Sequence, residues 1–86
     1  MYKGDIKFIK RIESSDIKSH GLIRGKADPI SAITEGELYT VSTQVINRHR
    51  QYKLTYKTQT RCVYTYTITV EDMRKLYNNK FIETCK

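Results

Sequence analysis

Arg48, His49, Arg50, Lys53, Lys57 and Arg61 lie in a stretch, Leu38 to Val70, that contains no Asp or Glu. Tyr39, Tyr52, Tyr56, Tyr64 and Tyr66 are interleaved with them. Guanidinium and ammonium groups without competing carboxylates hold phosphate oxygens, and exposed tyrosine rings stack on unpaired bases for about 1–3 kcal/mol each. The rest of the chain sets nine carboxylates against eleven Lys or Arg, so most of the net charge of +7 sits in this one segment. Such a block favours a polyanion, nucleic acid above all. The competing explanation is a β-rich segment whose cations only keep an outer face solvated. In either case Arg48, His49 and Arg50 are expected at a connection tip. Lys53, Lys57 and Arg61 are expected along the outward face of the adjoining strand, completing one basic ridge.

Catalytic chemistry has fewer supports. Gly4, Gly21, Gly25 and Gly36 are scattered and form no phosphate-cradling loop. No carboxylate pair has a catalytic spacing, and no His or Cys stands at metal-ligand spacing from Cys62 or Cys85. The reading is therefore no catalytic residue, no metal and no cofactor. The enzyme class left open is a metal-independent ribonuclease toxin, in which His20, His49, tyrosines and arginines would move protons and stabilise the phosphorane.

Eighty-six residues make a single domain, 1–86. With 38% hydrophobic residues, seven Tyr, two Phe and no Trp, tyrosine must supply much of the core, and each buried phenol needs a hydrogen-bond partner. A homodimer interface would add burial. No apolar run approaches the ~18 residues of a membrane span, and the start Met1-Tyr2-Lys3-Gly4-Asp5 lacks a signal-peptide core. Two cysteines read as free thiols. The expected location is cytoplasmic, the host cytoplasm for a viral protein.

The elements follow from periodicity. Ile6 and Phe8 mark a short first strand, broken at Ser14-Ser15-Asp16, and Gly21 to Arg24 a second. Ala27-Asp28-Pro29 and Thr34-Glu35-Gly36 are turns; Tyr39, Val41, Thr43 and Val45 then line one face of a strand. From Gln51 to Val70 the even positions hold Tyr52, Leu54, Tyr56, Cys62, Tyr64, Tyr66, Ile68 and Val70, while Lys53, Thr55, Lys57, Gln59, Arg61, Val63, Thr65, Thr67 and Thr69 hold odd ones. One strand of that length would span about 65 Å, too long for the domain, so a turn is expected near Lys57 to Arg61. Parity survives across that turn, which calls for an odd loop, a bulge or a bent strand. Thr69-Val70-Glu71-Asp72 is a capping box opening a helix with Met73, Leu76, Tyr77 and Phe81 on one face. The fold class is mainly β or α+β: a small bent antiparallel sheet or partly open barrel of about five strands, with one C-terminal helix.

The stretch Thr34-Glu35-Gly36-Glu37-Leu38-Tyr39-Thr40-Val41, followed by strands and the Thr69-Val70-Glu71-Asp72 helix start, resembles small bacteriophage accessory proteins with an SH3-like barrel. The resemblance covers the C-terminal two thirds and transfers no functional residue. It implies a host-takeover or counter-defence factor that acts by binding. The functional expectation is thus a non-enzymatic nucleic-acid-binding accessory protein. RNA is preferred to duplex DNA because the one evident helix opens with Glu71 and Asp72, a poor tip for a major groove. The alternative is an inhibitor or adaptor whose basic face engages an acidic or nucleic-acid-bound host protein.

Overall fold

An alternating segment too long for one strand has to double back, and this one does so between Lys57 and Cys62. The computed structural model describes residues 4–25, 32–57 and 62–85. Along them run β1 (Gly4–Phe8), two 3₁₀ turns (Ser14–Asp16 and Lys18–His20), β2 (Ile23–Arg24), β3 (Leu38–Ile46), β4 (His49–Lys57), β5 (Cys62–Thr69), α1 (Val70–Asn78) and β6 (Ile82–Cys85). The strands form one open antiparallel sheet in the order β2-β5-β4-β3-β1-β6, so the protein is mainly β with one C-terminal helix. The sixth strand exceeds the expected five: Ile82–Cys85 pairs with β1. The bend at Ala27-Asp28-Pro29 and the turn at residues 58–61 lie outside the described residues.

Parity survives the β4–β5 connection through a bulge. Tyr56 pairs with Tyr64 but Lys57 pairs with Cys62, leaving one extra residue on β5. From there Leu54 meets Tyr66 and Tyr52 meets Ile68, so like faces like. The inner face collects Ile6, Phe8, Tyr39, Tyr52, Leu54, Tyr66, Ile68 and Ile82, closed by Met73 and Leu76 of α1 and by Ile12, Ile17, Leu22 and Ile33 from the connections. Tyr77, expected on the packed face of α1, is instead 47% exposed.

Tyr39 is the hub of this core. Its ring lies 5.2 Å from Phe8 (edge-on), 5.3 Å from Tyr56 and 5.9 Å from Tyr66. Its hydroxyl donates to Glu37 Oε1 at 2.9 Å, while Glu37 Oε2 accepts from the Thr34 backbone N–H (2.8 Å) and the Thr34 hydroxyl (2.6 Å). One carboxylate therefore satisfies a buried phenol and closes the Thr34–Glu37 turn. Burial first, then the Glu37 charge, pushes the Tyr39 phenol above the usual tyrosine range.

The helix ends are built as the capping box predicts. Thr69 Oγ1 accepts from the Asp72 N–H at 3.2 Å and donates to Asp72 Oδ2 at 3.0 Å. At the other end, Phe81 N–H donates to Leu76 and Lys80 N–H to Tyr77, a Schellman closure with Lys80 left-handed at φ 62°. Gly21, also left-handed at φ 84°, brings the second 3₁₀ turn so close to α1 that a Cβ there would sit 2.2–2.8 Å from the Asp72 side chain.

These geometries give substitutions of opposite sign. Gly21→Ala should lower unfolding stability by about 2 kcal/mol, because it adds both a left-handed penalty and a clash with a capping residue. Lys80→Gly should raise it by about 1 kcal/mol. Denaturant unfolding of both variants checks the pair. Tyr39 also sets an alkaline limit. Since its folded pKa is raised, the folded state holds a proton that the unfolded phenol loses near pH 10, and stability should fall as pH rises above about 10. Tyr39→Phe should cost about 1 kcal/mol at neutral pH and flatten that decline, as read by thermal unfolding from pH 8 to 11.

Candidate nucleic-acid interface

The β3–β4 hairpin outruns its neighbours. Pairing of β3 with β1 stops at Val41, and pairing of β4 with β5 stops at the Gln51–Thr69 pair. Among the described residues, the last two ladder pairs, Val45 with Arg50 and Ile46 with His49, therefore have no strand beside them. Residues Val45 to Arg50 are all exposed. The arm turns through Asn47 and Arg48, both left-handed (φ 51° and 66°), a two-residue turn whose twist matches that of the strands.

This fixes where the expected site residues lie. Arg48 occupies the second turn position, and His49 and Arg50 open β4. Alternation sends His49 and Lys53 to the outer face and Arg50 to the inner-face side, where it lines a shallow cleft with Thr43, Gln44, Val45 and Tyr52. Arg48, His49 and Arg50 are thus brought together at the tip. Lys53 stands about 13 Å back along the outer face from His49. The backbone of Lys57 is the last of β4, and Arg61 lies outside the described residues.

The outer face carries hydrogen-bonding side chains in register. Ser42, Lys53, Thr67 and Ile23 form one row, and Thr40, Thr55 and Thr65 another, with Asp5 at its β1 end. Gln44, Gln51 and Thr69 form a third row nearer the tip. The helix packs on the inner face, through Met73 and Leu76. Among the described residues the one ion pair is Arg11 with Glu13, so Arg48, Arg50 and Lys53 are in none. Folding does bring one carboxylate, Glu71, to the base of the arm, across a cleft shared with His49, Arg50, Gln51, Thr69 and Val70.

Tyrosine plays a different part from the cations. Tyr39, Tyr52 and Tyr66 are buried and Tyr56 is half-buried, so these rings belong to the core. What the sequence did not single out is the aliphatic pair at the tip: Val45 is 69% and Ile46 43% exposed, on opposite faces of the arm. Val45 follows the inward parity of Tyr39 and Val41 but lies beyond the end of the core, which only the strand lengths reveal. His20 packs against Phe81, 4.7 Å between ring centroids, and belongs to the second 3₁₀ turn. Among the described residues no three His, Cys, Asp or Glu come together as a metal site, and no helix is long and apolar enough to cross a membrane.

Fold and site together define a small, mainly β domain bearing a cationic hairpin arm. No protein-family model, curated protein or solved structure matches the chain.

The turn makes one energetic statement about Arg48. A left-handed second position after Asn is where Gly is most favourable, and an arginine there is strained by about 1 kcal/mol. Arg48→Gly should therefore stabilise the protein by about that amount in denaturant unfolding.

Proposed function

We propose that the protein is a non-enzymatic nucleic-acid-binding protein that grips phosphates with the β3–β4 arm and the outer face behind it. The observation that carries this reading is the arm itself. Arg48, His49 and Arg50 are exposed on a projecting ribbon, Lys53 stands on the same hairpin, and the three described cations Arg48, Arg50 and Lys53 enter no ion pair among the described residues. Cations that no carboxylate holds are available to phosphates, and rows of Thr, Ser and Gln add neutral donors to the same oxygens. Placing arginine where glycine would be more stable fits a residue kept for what it contacts rather than for the fold. With three tyrosines in the core, phosphate contact supplies most of the affinity and base stacking little. The resemblance to phage accessory proteins supports the same role, binding without catalysis.

Titration of labelled single-stranded RNA, duplex RNA and duplex DNA at two salt concentrations tests the reading. Salt-sensitive binding at low micromolar protein is expected. Arg48→Ala, Arg50→Ala and Lys53→Ala should each reduce the slope of log K against log salt by about one. If none of the three ligands binds in a salt-dependent way, the proposal is wrong.

A further inference from the structure

The preference for RNA followed from the lack of a helix suited to a groove, but the structure supplies a groove-sized element of another kind. Beyond the Gln51–Thr69 pair the sheet narrows to two strands, and the tip projects about 10 Å past that point. A two-stranded ribbon fits the major groove of B-form DNA, about 12 Å wide and about 8.5 Å deep; the minor groove, about 6 Å wide, excludes it. The major groove of A-form RNA is too narrow and deep for side chains to read. Behind the tip the sheet widens to four strands, β2, β5, β4 and β3, in the row of Ser42, Lys53, Thr67 and Ile23. That row is too broad to enter and, about 18 Å behind the turn, stays outside a groove about 8.5 Å deep.

We propose that Val45 to Arg50 form a ribbon that enters the major groove of B-form duplex DNA tip first. Arg48 in the turn then reaches deepest, with Val45 and Ile46 beside it against base edges, while Arg50 and Lys53, farther back, face phosphates. The inference rests on the nucleic-acid reading above and narrows it to one ligand. Two observations select the groove over a purely electrostatic grip. Val45 and Ile46 are exposed aliphatics at the end of the arm, where the core does not need them. They also sit on opposite faces of the tip, so an element inserted end-on presents an apolar contact to each side. In the major groove the one apolar group on a base edge is the thymine methyl, and it is the natural partner for such side chains.

The test compares the wild-type protein on an A·T-rich DNA duplex and on the same duplex with deoxyuridine replacing thymidine, a change that deletes only the major-groove methyl. Binding should weaken about fourfold for each methyl covered, with an unchanged salt slope. A Val45→Ser/Ile46→Ser variant, altered only at exposed positions, should bind both duplexes alike and keep the wild-type melting temperature. Duplex RNA of matching sequence should bind more weakly than the thymidine duplex. Equal wild-type affinity for the two DNA duplexes, or tighter binding to duplex RNA, overturns the groove-entering ribbon while leaving phosphate binding intact. Loss of salt-sensitive binding to every nucleic acid overturns the functional reading instead.

Discussion

One nine-residue helix can cover one face of a six-stranded sheet and no more. Every strand is therefore required to keep its apolar side chains on the same side, since a slip of one residue would send a whole set into water. The bulge between Tyr56 and Lys57 answers that requirement. It spends one unpaired residue to keep Leu54 opposite Tyr66 and Tyr52 opposite Ile68. The threonines of β5 and Lys53 of β4 face outward as a consequence of the same parity. The core and the binding face are two readouts of a single alternation.

Building that core from phenols has its own consequence for charge. A buried Tyr39 needs an acceptor, and Glu37 supplies it while also closing the preceding turn. The carboxylate is thus tied down just before β3 begins, and the next in sequence is Glu71, at the start of α1. The intervening β3–β4–β5 meander has no internal anion to pair with its arginines and lysines. Strand length does the rest: β3 and β4 are each nine residues long, and β1 and β5 fall short of their far ends. The arm is what remains when two long strands are flanked by shorter ones.

Much of this was legible in the sequence because it follows from local rules. The Thr69 cap, the alternation through β4 and β5, the turn at Glu35-Gly36 and the need for an odd loop, a bulge or a bent strand after β4 all reflect interactions within a few residues of one another. The parts that were not legible depend on distant partners. Ile82–Cys85 becomes a strand only because β1 offers an unpaired edge. The arginine-histidine tip was foreseen as a longer connection. The ladder instead runs on to Ile46 and His49 and forces Asn47 and Arg48 into a left-handed turn that Arg48 gives no hint of. The side on which Arg50 projects follows from that turn length, and the exposure of Val45 follows from where β1 and β5 stop. The outer-face neighbours of Lys53 come from three other strands, so no local pattern names them.

The pairing of β1 with β6 sets the order in which the molecule can be completed. Asp5 lies opposite Cys85, so this ladder joins nearly the first described residue to the last, whereas β3 and β4 meet across a two-residue turn. Loop-closure entropy is small for the meander and large for the outer ladder, and non-local pairing of this kind slows folding. During synthesis the three meander strands can pair with one another as soon as residue 69 has emerged, while β1 must wait for β6 with one edge open. The hairpin that carries the cations therefore belongs to the part of the sheet whose strand pairing is most local in sequence. The seam between β1 and β6 is where the sheet is last to close.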